Sequence, residues 1–167
     1  MAKISGIFIA PLAGEAMLEK SAVKVLPGIG IEGDRYALGL GAYSKTLPAK
    51  SRDISLITRD GIDAANQVLQ QLGLSQFSDF ETRRNVVIEG LSAQELNSLV
   101  GKEFYLGNLK LRATELCIPC ERPSKLTKKK GFLEAFEARG GVRAQTLEAG
   151  HIQIGDPLKE TSFTRLN

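Results

Sequence analysis

The chain has 167 residues, which suits a single domain over residues 1–167, and its 43% hydrophobic and 25% charged residues are the balance of a soluble globular protein. A net charge of +3 gives no general basic field that would indicate nucleic acid binding. Two cysteines, no signal peptide and no apolar run near the roughly 20 residues of a membrane span predict a cytoplasmic protein without membrane association.

The first predicted strand covers residues 3–10. Strict alternation along it places Ile4 and Phe8 on one face and Ile7 and Ile9 on the other. Seventeen glycines punctuate the apolar segments that follow, which is typical of several short strands joined by tight turns.

Further strands are expected over residues 22–26, 53–58, 85–88, 104–106, 109–113, 142–147 and 152–154. Gly107-Asn108 has the chemistry of a two-residue hairpin turn, and Ala149-Gly150 predicts a second hairpin. Pro157 is expected to end the strand pattern.

Helical periodicity predicts a helix over residues 58–72, and the capping box of Ser92 and Glu95 indicates the start of a short one. Residues 125–130 are interpreted as an exposed loop before a short helix over 132–138. About seven strands with two to three short helices predict a mostly β fold, a curled sheet or barrel with helices at its edge.

The sharpest motif is the Cys-x-x-Cys pair of Cys117 and Cys120. A zinc site would need two more ligands, of which His151 is the one evident candidate, and a thioredoxin-like pair would need a βαβ context. A cysteine hydrolase using His151 ranks lower, and buried, inert thiols remain open. Pro119 and the charge of Arg122 favour Cys120 as a surface thiol.

Two arginine-rich segments precede predicted strands, Arg83-Arg84-Asn85 and Arg139-Gly140-Gly141-Val142-Arg143. Guanidinium groups beside glycine turns suit a phosphate group, although scattered arginines are usually solvated surface. The glycine-rich residues 28–35 lack the helix that a dinucleotide fingerprint requires, so we interpret them as a loop that lines a site or makes a structural bend.

Taken in order, these segments resemble the MOSC family, named for the C-terminal domain of molybdenum cofactor sulfurases. The motifs that carry the resemblance are Gly33-Asp34-Arg35, Arg84-Asn85-Val86-Val87, Leu99-Val100-Gly101-Lys102, Pro119-Cys120, Arg139-Gly140-Gly141-Val142-Arg143-Ala144 and Gly150-His151-Ile152-Gln153-Ile154-Gly155-Asp156.

The resemblance implies a barrel-like β domain that binds molybdenum cofactor, which is not expected to be retained in a recombinant preparation. The family cysteine corresponds to Cys120, as a molybdenum ligand or sulfur carrier with a catalytic role, while Cys117 is a resolving thiol, a second ligand or filler. The positions that match cofactor-binding motifs are Asp34, Arg35, Arg84, Asn85, Arg139, Gly140, Gly141 and Arg143.

The leading hypothesis is therefore a molybdenum-cofactor-binding protein whose partner is a sulfur donor such as a cysteine desulfurase, or a molybdoenzyme. A non-enzymatic binding or scaffold module is the alternative. A reductase of N-hydroxylated compounds is a further one, but such MOSC proteins often carry a His-Gly-Gly element after the Gly-Asp turn, and residues 37–44 contain no histidine.

Overall fold

A curled sheet dominates the computed structural model, which describes residues 1–47, 50 and 52–161. Within this part of the chain, eleven strands form one eight-stranded and one three-stranded sheet, with four short α-helices and a 3₁₀ turn. The larger sheet curls into a half-barrel, which confirms the predicted mostly β, barrel-like fold. None of the described helices is long and apolar enough to cross a bilayer.

The strands are β1 (Lys3–Ile9), β2 (Leu18–Glu19), β3 (Ala22–Leu26), β4 (Gly30–Ile31), β5 (Ile54–Thr58), β6 (Val86–Glu89), β7 (Glu103–Leu106), β8 (Leu109–Leu116), β9 (Val142–Thr146), β10 (Gly150–Gln153) and β11 (Leu158–Glu160). The helices are α1 (Arg59–Gln71), α2 (Ala93–Asn97), α3 (Arg122–Thr127) and α4 (Phe132–Ala135), and the 3₁₀ turn covers Phe80–Thr82.

The strand order of the large sheet is β11-β7-β8-β9-β5-β6-β1-β2, and that of the small sheet is β10-β3-β4. β5 and β6 are parallel because α1 carries the chain back between them, whereas the other described pairs are antiparallel. Thr58 begins α1 as predicted, since its hydroxyl accepts a hydrogen bond from the Gly61 amide at 2.9 Å. The capping box at Ser92 is also confirmed.

Two apolar clusters pack on opposite faces of the large sheet. The larger cluster joins its concave face to the small sheet through residues such as Leu56, Val86 and Val25. The smaller one packs α1 and α4 on the outer face, where the rings of Phe132 and Phe136 stack with centroids 4.3 Å apart. Each of the central strands β5 and β6 is therefore buried on both faces.

The predicted facing of β1 is wrong. Ile4 packs in the larger cluster together with Ile7 and Ile9, whereas Phe8 packs alone among them in the smaller cluster. The register of β1 against β6 shifts between Ile4 and Gly6, as in a β-bulge. The extra residue moves Ile4 to the face that strict alternation assigns to Ile7.

The hairpin at Gly107-Asn108 is confirmed, but the hairpin predicted around Ala149-Gly150 is wrong. β9 is paired with β5 on one side and β8 on the other, so it has no free edge, and β10 pairs with β3 instead. The strand pattern also continues beyond Pro157, because β11 pairs with the edge of β7.

Residues 125–130 are not a continuous loop. Helix α3 includes Lys125 and ends at Thr127, and the capping residue Lys128 adopts a left-handed conformation with φ 59°. The signal was Pro123 in its first turn, where proline preorganises a helix start. The exposure predicted for this segment holds for Lys125 and Lys130.

Candidate functional site

A cavity of about 80 Å³ opens where β8 ends and where β6 and β9 begin. Six guanidinium groups, both thiols and two phenol rings belong to its wall. The lining residues are Arg35, Arg52, Arg83, Arg84, Arg122 and Arg143, with Cys117, Cys120, Tyr36, Tyr43, Ala42, Ile54, Ser55, Asn85 and Ile118. No aspartate or glutamate occurs among these described lining residues, so the cavity has the electrostatics of an anion site.

Asp34 holds the first of these arginines and does not itself line the cavity. Its carboxylate is 2% exposed and accepts hydrogen bonds from Arg35 Nη1 at 3.0 Å and from the Ala10 and Tyr36 amides at 3.1 and 3.3 Å. The charge of Asp34 is thus used internally. Of the two residues predicted here to bind cofactor, Arg35 faces the cavity and Asp34 positions it.

Arg84 and Asn85 both line the cavity, but their side chains are held by different hydrogen bonds. The Nε of Arg84 donates to the carbonyl oxygen of Gly140 at 2.7 Å. Asn85 is buried, and its Oδ1 accepts from the amide and hydroxyl of Ser55, each at 3.1 Å, while Nδ2 donates to the Phe8 carbonyl at 3.1 Å. The amide of Asn85 is therefore engaged in joining β1, β5 and β6.

Arg143 lines the cavity from β9 and is oriented by Glu115 of β8. Its Nη1 lies 2.8 Å from Glu115 Oε1, and Lys50 Nζ lies 3.3 Å from the other carboxylate oxygen. Burial opposes ionisation of Glu115, but the hydrogen bonds from Arg143 and Lys50 outweigh it and lower the pKa of this carboxyl below its usual value.

Arg139 is not brought to the cavity. Its Nη1 donates to the carbonyl oxygen of Ala135 at 3.0 Å, so it satisfies the end of α4. The expectation that Arg139 and Arg143 face one site together is not met, because the two glycines between them turn the chain from α4 into β9.

Gly140 and Gly141 are buried in close backbone contacts. A Cβ at Gly140 would lie 2.2 Å from the carbonyl oxygen of Cys117, and one at Gly141 would lie 1.9 Å from that of Leu56. The carbonyl of Gly141 also accepts the Cys117 amide at 2.8 Å. These glycines support the cysteine segment, and neither is among the lining residues.

The two thiols differ in exposure. Cys120 is exposed at the cavity, whereas Cys117 is 3% exposed, and both are free. Tyr43 lines the same cavity as Cys120. Burial, followed by the charge and hydrogen bond of Cys120, raises the pKa of Tyr43, so its hydroxyl keeps its proton at neutral pH.

Arg83 shows how concentrated the positive charge is. Burial, together with the charges of Arg35 and Arg122, lowers the pKa of Arg83 to about 10. One of its guanidinium nitrogens donates to the Glu15 carbonyl oxygen, and the residue has a left-handed backbone with φ 66°. Like charges packed this closely favour an anion as counter-charge.

Arg52 lies over two tyrosine rings on one side of the cavity. Its guanidinium carbon is 5.6 Å from the centroid of Tyr36 and 5.2 Å from that of Tyr43, and Arg35 lies 4.9 Å from the Tyr36 ring. Alternating cations and rings attach the glycine-rich segment around residues 36–43 to the cavity wall.

The family model of the MOSC domain matches residues 43–159. The chain belongs to the MOSC domain family. This family is associated with molybdenum cofactor. No curated protein sequence matches the chain.

Solved structures resemble this MOSC domain in fold. The YUAD protein from Bacillus subtilis is 19% identical, with a TM-score of 0.71 over 95% of this chain and 94% of that one. YiiM from Geobacillus stearothermophilus is 13% identical, with a TM-score of 0.68 over 97% and 76% of the two chains. YiiM from Escherichia coli is 16% identical, with a TM-score of 0.59 over 97% and 70%. At such identities the likeness shows the fold alone.

The described part of this MOSC domain contains no group of three or more His, Cys, Asp or Glu side chains placed to hold a metal ion. His151 lies in β10 of the small sheet, opposite Lys24, and is not among the residues that line the cavity. This placement disfavours both the zinc site and the cysteine hydrolase considered from the sequence.

Five residues predicted from the sequence lie together at one cavity: Cys120, Arg35, Arg84, Asn85 and Arg143. Other lining residues were not predicted as part of the site. Arg83 and Arg122 lie within two residues of predicted ones, whereas Tyr36, Tyr43, Ser55 and Arg52 belong to no local motif that would mark them.

Proposed function

We propose that this MOSC domain binds molybdenum cofactor, with the Cys120 thiolate as the soft metal ligand or as a sulfur acceptor. The observation that carries the proposal is the exposed thiol of Cys120 at a cavity lined by six guanidinium groups and by no carboxylate among the described lining residues. Family membership supplies the cofactor class.

The residues of the site fit this group. Molybdenum cofactor combines a pterin with a dithiolene and a phosphate, and when bound it supplies a metal with ligands of its own. A site with one exposed thiol and many cations suits a metal that arrives already chelated. A cavity of about 80 Å³ would admit an anionic group of the cofactor, which the lining arginines would hold.

The arginines divide into two groups by their contacts. Arg35 and Arg143 are oriented by Asp34 and Glu115, and Arg84 is tied to the backbone at Gly140. Preoriented guanidinium groups lose little side-chain entropy when they bind phosphate oxygens. Arg52, Arg83 and Arg122 add further positive charge to the cavity lining.

As a sulfur acceptor, Cys120 would take sulfur from a protein persulfide, such as that of a cysteine desulfurase. Its thiolate attacks the terminal sulfur, the sulfur–sulfur bond of the donor breaks, and the donor thiolate leaves. A reducing compartment such as the cytoplasm keeps Cys120 available for this exchange. A molybdoenzyme that receives the product is the matching downstream partner.

Expression in a host that makes the cofactor, followed by mass spectrometry of molybdenum, tests the proposal. We expect the wild type to contain molybdenum, Cys120→Ser to contain much less and Cys117→Ala to match the wild type, because Cys117 is buried. Equal metal in wild type and Cys120→Ser, or no metal in any of the three, would leave the scaffold alternative.

A matched arginine pair tests the anion site separately. Arg122→Gln removes a cation at the cavity, whereas Arg139→Gln removes one outside it. Binding of inorganic phosphate, measured by calorimetry at low salt, should weaken in Arg122→Gln and stay unchanged in Arg139→Gln. An equal effect of both substitutions would indicate a general charge effect instead of a site.

A further inference from the structure

Cys117 is the second thiol at the cavity, and the proposed function leaves it without a task. Both cysteines are free and line the same cavity. Cys117 is 3% exposed, whereas Cys120 is exposed to solvent. An outer thiol that a donor can reach, with an inner thiol close in sequence that the donor cannot reach, is suited to resolution of a covalent intermediate.

The backbone around the two thiols is fixed at one end. The Cys117 amide donates a hydrogen bond to the carbonyl oxygen of Gly141 at 2.8 Å, and the Cys117 carbonyl packs against Gly140. From Cys117 to Cys120 the chain has no regular secondary structure, and the Ile118 side chain between them is 82% exposed. The inner thiol thus has an anchored backbone, and the outer thiol lies three residues further along an irregular segment.

We propose that Cys117 resolves a persulfide formed on Cys120 and so releases the transferred sulfur as hydrosulfide. This inference rests on the sulfur-acceptor form of the proposed function. A protein persulfide is the sulfur donor, and the released sulfide is generated inside the arginine-lined cavity.

The step balances without a further oxidant. Cys117 loses its proton to solvent, and its thiolate attacks the Cys120 Sγ of the persulfide. The bond from this Sγ to the outer sulfur breaks, a Cys117–Cys120 disulfide forms, and HS⁻ leaves. Two thiols are oxidised, and the sulfane sulfur is reduced to sulfide. A dithiol reductant then returns both cysteines to the thiol form.

The positive charge of the cavity assists the release of the sulfide anion. The leaving group is an anion, and the guanidinium groups of Arg122 and Arg143 line the same cavity as both thiols. Fixed cations stabilise negative charge that develops on a leaving sulfur, as they do in other anion-forming steps. The outer sulfur is therefore a better leaving group here than it would be on an exposed neutral surface.

The experiment is a single-turnover reaction under anaerobic conditions. The reduced full chain is mixed with inorganic polysulfide, the excess is removed, and the remaining thiols are alkylated for peptide mass spectrometry while released sulfide is measured. Wild type, Cys117→Ala and Cys120→Ala are compared, and wild type without polysulfide is the control for adventitious oxidation.

We expect wild type to release sulfide and to contain the Cys117–Cys120 disulfide. Cys117→Ala should keep one added sulfur atom on Cys120 with sulfide release at background, and Cys120→Ala should do neither. Because wild type alone reports the disulfide, the result does not depend on the folding of the variants. A persulfide that persists on wild-type Cys120 overturns this inference and leaves the sulfur-acceptor function standing, whereas no sulfur uptake on Cys120 overturns both.

Discussion

Arg84 and Gly140 are joined by a hydrogen bond of 2.7 Å from the guanidinium Nε to the carbonyl oxygen. Gly140 in turn packs against the carbonyl of Cys117, so the start of β6, the segment before β9 and the cysteine segment form one contact chain. The shape of the cavity thus depends on a residue that has no side chain and does not line it.

Gly140→Ala should destabilise the protein and perturb the thiol site together. The new Cβ would lie 2.2 Å from a backbone oxygen, which cannot move as a side chain can. We expect a loss of about 1–3 kcal/mol in the free energy of unfolding, measured by urea denaturation. Gly150→Ala is the control, since its Cβ would meet only the Leu109 side chain, at 3.1 Å, and no backbone atom. Equal losses would contradict the close approach.

Asn85→Ala should lower the free energy of unfolding. It leaves the Ser55 amide and the Phe8 carbonyl without their present partner in a buried place, which costs about 1–3 kcal/mol for a group left unsatisfied. Denaturant titration measures the loss. Asn108→Ala, at an exposed turn position, is the comparison and should change stability less. An unchanged midpoint for Asn85→Ala would show that its hydrogen bonds are dispensable.

Cys120 should be alkylated selectively in the folded protein. Iodoacetamide reaches an exposed thiol, while Cys117 at 3% exposure is shielded, so we expect a difference of about tenfold or more in rate. Peptide mass spectrometry after timed quenching assigns the sites, and measurement against pH reports the reactivity of the thiolate. The selectivity should disappear in denaturant. A folded protein in which both thiols react equally fast would contradict the burial of Cys117.

Glu81→Gln should lower stability at neutral pH and have little effect in acid. Burial opposes ionisation of Glu81, but hydrogen bonds from Lys129 and Ser78 lower the pKa of its carboxyl below the ordinary 4.5. A lowered folded-state pKa adds stability above the ordinary value, and this stability is lost as the pH falls through the folded value.

Thermal unfolding of wild type and Glu81→Gln at several pH values checks this. We expect a difference of about 1 kcal/mol near pH 7 that closes below pH 4.5. Glu137→Gln, at an exposed position, should show no such pattern. A difference that stays constant with pH would mean that Glu81 acts through packing.

Gly107→Val should weaken the β7–β8 hairpin more than Gly107→Asn. The residue has φ +55°, and asparagine tolerates this region far better than a β-branched side chain. Both substitutions place a Cβ 2.7 Å from the Asp156 carboxylate, so their difference isolates backbone strain. Calorimetric melting temperatures should rank wild type, Asn and Val in decreasing order, and equal values for the two variants would contradict the turn.

Sequence patterns predicted correctly those features that depend on interactions between residues close together in the chain. The start of α1 at Thr58, the capping box at Ser92 and the turn at Gly107 each depend on residues within four positions of one another. The facing of Ile4 and the partner of β10 depend on a bulge against β6 and on the occupied edges of β9, which are set by distant strands.

The order of amino acids was enough to predict the mostly β composition, the family and the candidate thiol, because glycine turns, apolar periodicity and ordered motifs follow one another along the chain. The three-dimensional fold was needed to show that Arg35, Arg84, Arg122 and Arg143 share a cavity with Cys120 while Arg139 does not. Whether these side chains meet depends on the strand order and on the direction in which each chain segment turns. Neither can be read from a single sequence motif.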